Sequence, residues 1–185
     1  GAEMQAPQIP GTLPAADIKR LKLDAFDRSN DLKPLSVVTG DIIAKNAYEW
    51  SKATESPLAQ AAVRGAEKIT IRPLLGHSGK AVKLPKGASL SYDFYCDKSG
   101  DARFTIAAIP CFLNAVKDMR VSVSIDRGEP VICQLKEVYN SKDWKFDLWR
   151  GQTLKSFYVT LPGGSHNVTI KALDDNVMID QWVLD

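Results

Sequence analysis

The stretch Leu90 to Pro110, LSYDFYCDKSGDARFTIAAIP, decides how the chain is read. Leu90, Tyr92, Phe94 and Cys96 share one parity; Ser91, Asp93, Tyr95 and Asp97 share the other. Successive side chains of a strand point to opposite faces, so this run has a dry face and a wet one. After Asp97-Lys98-Ser99-Gly100-Asp101 the alternation resumes with Ala102, Phe104, Ile106 and Ala108. Two alternating runs around a short polar turn predict an antiparallel β-hairpin, with Gly100 at the positive-φ position. The dry face needs a second layer to cover it.

Segments on either side supply that layer. Ile69 and Ile71 begin a strand, Leu74-Leu75-Gly76-His77-Ser78-Gly79 is a turn, and Ala81 to Leu84 is another strand. Downstream, Val121, Val123 and Ile125 alternate with Ser122, Ser124 and Asp126, a half-buried strand that turns at Arg127-Gly128-Glu129-Pro130. Val131 to Leu135 then pairs back. Phe157, Val159 and Leu161 form a strand, Pro162-Gly163-Gly164-Ser165 a turn, and Val168, Ile170 and Ala172 the next strand; VMIDQWVLD is the last. Turns punctuating short strands with little helix predict an all-β antiparallel β-sandwich, a jelly roll of the galactose-binding-like kind. Tyr92, Phe94, Phe104, Ile106, Val121, Val123, Ile125, Val168 and Ile170 are the expected inward residues, and Trp182 within the last strand is expected in the core.

The first part of the chain is less regular. Residues 1–17 carry three prolines and no periodicity and read as a flexible lead-in to one domain over residues 18–185. Residues 18–26 fit a strand or a helix, and residues 35–38 a short apolar strand. Ser56-Pro57 predicts the start of a short helix, with Leu58, Ala61 and Ala62 as its apolar face.

Bulk properties narrow the function. The 185 residues give room for one core, and 24 basic against 22 acidic residues give no electrostatic reason to expect nucleic acid. No apolar run approaches the roughly 20 residues of a membrane span. The start, GAEMQAPQIPGTLP, has neither a basic n-region nor an apolar core and suits a mature or a truncated N-terminus, which leaves room for a removed export signal. The expected location is therefore secreted, periplasmic or cell-surface. Of three cysteines, Cys96 shares the buried parity and is expected to be a buried free thiol; a single disulfide among Cys96, Cys111 and Cys133 is open in an oxidising compartment.

Two aromatic-polar clusters stand out from the strands. Sugar rings pack their C–H faces on flat aromatic rings, with hydrogen-bonding side chains alongside. Tyr48-Glu49-Trp50 has that composition, as does Tyr139-Asn140-Ser141-Lys142-Asp143-Trp144 with Trp149 close behind. The candidate ligand residues are Trp50, Tyr139, Asn140, Trp144 and Trp149; the competing reading makes them edge covers of a small core. The broken alternation around Trp144 predicts a loop. For catalysis, no nucleophile elbow, metal-spaced His pair or phosphate loop is present, and His77 and His166 both fall in Gly-containing turns, so a non-catalytic domain is expected.

Several of these segments together resemble one family. LLGHSGKAV, LSYDFYCDKSGDARFTIAAIP, MRVSVSIDRGEP and GGSHNVTIKALDDNVMIDQWVLD follow the order of the C-terminal β-sandwich of family 115 glycoside hydrolases, xylan α-glucuronidases. The markers are the Gly-x-Ser-Gly turn, Tyr92-Asp93-Phe94, Pro110, Ser124-Ile125-Asp126 and Gly164-x-His166. More loosely, LDAF and the apolar-Asp180-apolar run are similar to jelly-roll carbohydrate-binding modules of families 6 and 35. The resemblance implies an accessory domain of a polysaccharide-degrading system that binds poly- or oligosaccharide, with a covalently linked catalytic domain in relatives. Asp24 and Asp180 are the candidate ligands of a structural calcium if the first and last strands are neighbours as in those modules, but Phe26 fills the second acidic place; the competing reading is turn-capping or solvated aspartates, and no other cofactor is expected. The alternative is a structural or homodimerising sandwich with no sugar site.

Overall fold

The computed structural model describes residues 42–111 and 115–185. The lead-in, the expected segments at 18–26 and 35–38, and Asp24 lie outside the described residues. What is described is a two-sheet antiparallel sandwich of eleven strands. They are β1 (Ile43–Asn46), β2 (Lys52–Thr54), β3 (Thr70–Pro73), β4 (Lys80–Leu84), β5 (Ser89–Cys96), β6 (Gly100–Ala108), β7 (Arg120–Ile125), β8 (Val131–Gln134), β9 (Thr153–Leu161), β10 (Gly164–Ala172) and β11 (Val177–Leu184). One sheet runs β3-β4-β11-β6-β9, with β1 also on β11; the other runs β2-β5-β10-β7-β8.

The expected hairpin across Asp97 to Asp101 is not one. β5 pairs with β2 and β10, whereas β6 pairs with β11 and β9 in the opposite sheet. Alternation fixes which face of a strand is dry but not which strand lies beside it. Here the two dry faces look at each other across the core, and the polar turn is an arch between sheets. Gly100 opens β6 and is not among the positive-φ glycines, since an arch does not need the left-handed residue of a tight hairpin turn. True hairpins are β3–β4 and β7–β8.

The core is filled from both sides. β5, β7 and β10 contribute Leu90, Tyr92, Phe94, Val121, Val123, Val168 and Ile170; β4, β6 and β11 contribute Val82, Leu84, Phe104, Ile106, Ile179 and Trp182. Of the expected inward residues only Ile125 is half-buried, and it still packs on this cluster. Trp182 is fully buried, stacked on Phe104 at 5.3 Å and meeting Tyr92 and Phe94 edge-on at 5.6 and 5.8 Å. It thus ties the two sheets together, a large apolar area in offset and T-shaped contacts. The Tyr92 hydroxyl donates to the Ala47 carbonyl at 2.7 Å, so this buried phenol is satisfied, and burial pushes its pKa up.

Among the described residues there are also two short helices. α1 (Pro57–Gln60) starts as expected, with Ser56 accepting from the Ala59 amide. Its apolar face is not covered, however: Leu58 is 60% exposed, and Ala61 and Ala62 are exposed. Where a loop is expected around Trp144, the chain forms α2 (Lys142–Arg150). Ser141 Oγ caps the Trp144 amide at 3.1 Å, Asp143 and Arg150 suit the two ends of the dipole, and Gly151 stops the helix at φ 77°. Its buried face is only Phe146 and Asp147, which leaves no apolar period to read. Cys96, expected to be buried, is a half-buried free thiol at the end of its strand; the buried cysteine is Cys133.

Candidate functional site

The structure splits the predicted aromatic residues. Tyr139 and Trp144 meet edge to face at 4.9 Å beside the N-terminus of α2, where Asn140 sits with φ 61°. Tyr139 is exposed; Trp144 is half-buried, and its indole N–H is buried without a hydrogen-bond partner. Trp149 is exposed on the same helix, but five residues at about 100° each turn it roughly 140° away from Trp144. Trp50 lies between β1 and β2, half-buried against the main core. The residues therefore form one ring pair, one separate face of α2 and one distant core cover.

A second feature was not singled out from the sequence. The outer face of the five-stranded sheet carries a groove of about 740 Å³ lined by Ser51, Lys52, Thr54, Ser89, Ser91, Asp93, Asp126, Arg127, Asn167 and Thr169. Its floor follows from strand parity: Ser91 faces Thr169 and Asp93 faces Asn167 across β5 and β10, while Lys52 of β2 faces Ser91. Short hydroxyl side chains in mid-sheet between longer ones at the margins make a trough. The floor is already knit together, with Ser91 and Thr169 hydroxyls at 2.8 Å and Asn167 Nδ2 donating to Asp93 at 3.1 Å. Tyr95, outward on the same strand two residues beyond Asp93, is 62% exposed. Lys52 and Arg127 balance Asp93 and Asp126, so the lining is dense in donors and acceptors without a net charge.

The end of the groove is a tight turn. Asp126 and Arg127 both sit in the left-handed region, φ 53° and 59°, and Gly128 N donates back to Ile125 O at 2.9 Å. Tandem left-handed residues fit the twist of the β7–β8 hairpin; Asp126 tolerates that region, whereas Arg127 stands where Gly is the usual residue. Asp126 is braced by the Asn167 amide at 2.8 Å and by His166 Nδ1 at 2.5 Å; His166 Nε2 lies 2.7 Å from the Pro162 carbonyl. The Asp126 bond raises the His166 pKa, working against burial and helped by the Pro162 carbonyl and the Asp126 charge. Burial alone would raise the Asp126 carboxyl, but the His166 and Asn167 hydrogen bonds and the ring's charge hold it below the ordinary range.

Asp180 stands apart from the groove. Between Ile179 and Gln181 the β11–β6 register shifts, a bulge that re-aims the intervening side chain. Its buried carboxylate accepts from His77 N at 2.7 Å, Ser78 N at 3.1 Å, Ser78 Oγ at 2.6 Å and Gln152 Nε2 at 2.9 Å. Both carboxylate oxygens are thus hydrogen-bonded within the protein, and Asp24, the other expected calcium ligand, lies outside the described residues. Among the described residues no three His, Cys, Asp or Glu side chains gather as a metal site.

Residues 39–185 match the glycosyl hydrolase family 115 C-terminal domain. The chain belongs to this family. Among solved structures, it is 26% identical to a family GH115 4-O-methyl-α-glucuronidase, BtGH115A, with specificity for decorated arabinogalactans, at a TM-score of 0.65. That alignment covers 77% of this chain and 17% of the enzyme, so the chain spans about a sixth of its relative. Two isolated modules share the fold at lower identity. The family 35 carbohydrate-binding module from Clostridium thermocellum has 13% identity, a TM-score of 0.54 and coverage of 77% and 97%. The CBM35 of Cellvibrio japonicus Abf62 has 14% identity, a TM-score of 0.51 and coverage of 78% and 92%. No curated protein sequence matches the chain.

For this family 115 C-terminal domain the resemblance markers acquire physical roles. The Gly-x-Ser-Gly turn and Asp180 are two halves of one hydrogen-bonded anchor. Ser124-Ile125-Asp126 and Gly164-x-His166 are likewise joined by the Asp126–His166 pair. The sequence signal for the groove was present in the wet parity of β5 and β10, Ser89, Ser91 and Asp93 opposite Asn167 and Thr169. It looks the same as any solvated sheet face until the strands are placed side by side.

Proposed function

We propose that this carbohydrate-associated accessory domain is a non-catalytic glycan-recognition module whose polysaccharide lies along the groove of the five-stranded sheet. The observation that carries the reading is the groove itself: a long, charge-balanced trough of side-chain hydroxyl, carboxylate and amide groups. Sugar hydroxyls both donate and accept, and such a lining answers both needs while a neutral balance favours an uncharged chain. Tyr95 gives a ring face at one end for stacking. The kinship with a glycoside hydrolase domain supports a module that works beside a catalytic domain outside the cytoplasm; among the described residues no helix is long and apolar enough to cross a membrane.

A second reading places the ligand on α2, on the Tyr139–Trp144 pair with Asn140 and Trp149 around it, and is favoured by the exposure of Tyr139 and Trp149. Affinity electrophoresis on soluble arabinogalactan, xylan and β-glucan separates the two. Ser91→Gln, which fills the trough, and Asp93→Ala are expected to lower retardation about ten-fold or more, the loss of a well-placed contact of roughly 1–3 kcal/mol. Trp144→Ala is expected to leave it unchanged. The opposite pattern moves the site to α2, and absence of retardation on every polysaccharide refutes the glycan reading.

A further inference from the structure

We propose that His166, as an imidazolium, is the positioning residue that holds the Asp126–Arg127 turn against the groove, so that the face is set at acidic pH and slackens when the ring loses its proton. The inference rests on the groove being the ligand site and deepens it by naming its regulation.

The two ring nitrogens of His166 both face acceptors. Nδ1 faces a carboxylate oxygen at 2.5 Å and Nε2 faces a peptide carbonyl at 2.7 Å, and neither acceptor brings a proton of its own. A neutral imidazole carries one N–H, so only the charged ring satisfies both oxygens. The side chain is 4% exposed and stacked on Phe94 at 5.3 Å, so water has little room to supply the missing proton. The titratable and charged groups on the surrounding elements are Asp126 and Arg127 in the β7–β8 turn, Asp93, Cys96 and Asp97 on β5 and after it, and Lys98 in the arch. Asp126 and Asp97 both act on the Cys96 thiol, raising it after burial, which places two carboxylates at this end of the sandwich. The β9–β10 turn brings the Pro162 carbonyl, and the neighbours of His166 on β10, Ser165 and Asn167, are neutral.

Which contact fails on deprotonation follows from what is free to move. Pro162 belongs to a turn fastened to the arch, where Gly163 N donates to Ser99 Oγ at 2.9 Å. Asp126 has a side chain 46% exposed and stands in a strained turn. The neutral ring therefore keeps its proton on Nε2 and turns a lone pair toward Asp126 Oδ2, which rotates away toward water while Oδ1 is left with the Asn167 amide alone. Arg127, held left-handed beside it, goes with it. Both residues line the groove, so its end opens. A backbone in a sparsely populated conformation, held by the Asp126–Asn167 hydrogen bonds and one titrating contact, has a pH-dependent element in its support.

The test is an NMR titration of the full chain between about pH 5 and about pH 9, reading the His166 ring shifts and the Asp126 and Arg127 backbone signals. The ring is expected to stay charged above the ordinary midpoint of 6.5, and the turn signals to move with the same midpoint. Glycan retardation is expected to fall about ten-fold across it, the worth of a charge-assisted contact. Asp126→Asn is the informative variant: its amide can donate to a neutral Nδ1, so the turn signals should no longer follow pH and the ring should titrate lower. A His166 midpoint at or below the ordinary value, or turn signals indifferent to it, overturns the latch whether or not any glycan binds. A latch seen by NMR without glycan retardation at any pH instead refutes the groove reading on which it rests.

Discussion

Replacing Asp180 by Ala should be among the most damaging single changes available on the polar side of this fold. The wild-type carboxylate receives four donors, two backbone amides of the Gly76–Ser78 turn, the Ser78 hydroxyl and the Gln152 amide, all within 3.1 Å. Hydrogen bonds to an ionised group contribute roughly 1.5–3 kcal/mol each, but the sum is reduced because burying the carboxylate has its own desolvation cost. Deleting one side of such a buried arrangement leaves a net loss of about 3–5 kcal/mol. For a chain of this length that lowers Tm by roughly 10–15 °C.

Asp180→Asn grades the argument. Its amide nitrogen would take the position of Oδ1, where the Ser78 hydroxyl can turn round and accept, leaving only the Ser78 N–H unmatched. The expected cost is therefore about 2 kcal/mol, under half that of the Ala variant. Urea denaturation followed by fluorescence reads both, since Trp182 is fully buried beside Phe104. The loss should be the same with calcium and with a chelator. A loss for Asp180→Ala below about 1 kcal/mol, or one that appears only when calcium is present, refutes the turn-anchor account and returns the carboxylate to a cation.

Other expectations follow from the same contacts. Gly76→Ala puts a Cβ 2.4 Å from Asp180 Oδ1 at a φ of +79°, and should cost about 3 kcal/mol in the same urea experiment. The raised His166 pKa makes its contribution to stability fully present below the unfolded value of 6.5 and lost as pH rises through the folded value, whereas the lowered Asp126 pKa makes its contribution present above 3.8 and lost in acid. Melting against pH should therefore decline on the alkaline side in wild type and less so in Asp126→Asn. With a thiol reagent under native conditions, half-buried Cys96 should label well before buried Cys133, which should wait for unfolding; equal rates would contradict the placement.

How much of the fold was readable depends on what alternation encodes. It reports the dry side of each strand, and the inward residues from Tyr92 to Ile170 fell where parity put them. It is silent about neighbours. The Leu90 to Ala108 stretch has the pattern of a hairpin, yet its two halves belong to opposite sheets, because a dry face is equally well covered by a partner beside it or across from it. The α2 helix was hidden for a different reason. Its one buried apolar residue, Phe146, neighbours Asp147, whose carboxylate is met by Arg150 at 2.8 Å and Thr153 at 2.9 Å. A helix anchored by a buried ion pair shows no apolar stripe.

The site was harder to read than the fold for a reason specific to sheets. Sequence reasoning looked for tryptophans, since an aromatic in a polar run is visible in one dimension. The groove has no such residue along its floor and is assembled mostly from ordinary Ser, Thr, Asn and Asp residues on three strands, a turn and Ser51 just before β2, up to 118 positions apart in sequence, Ser51 to Thr169. None of those positions differs in type from a solvated sheet face. What distinguishes them is the adjacency of β2, β5 and β10, which no local pattern specifies, and the Asp126–Arg127 turn that closes one end. The sequence places the turn at Arg127-Gly128-Glu129-Pro130, whereas in the structure it tightens one step earlier, over Ile125 to Gly128, with Asp126 and Arg127 left-handed. The strain of that turn is invisible in the sequence and shows only in the backbone angles, where it is met by contacts from the neighbouring strand, the His166 ring and the Asn167 amide.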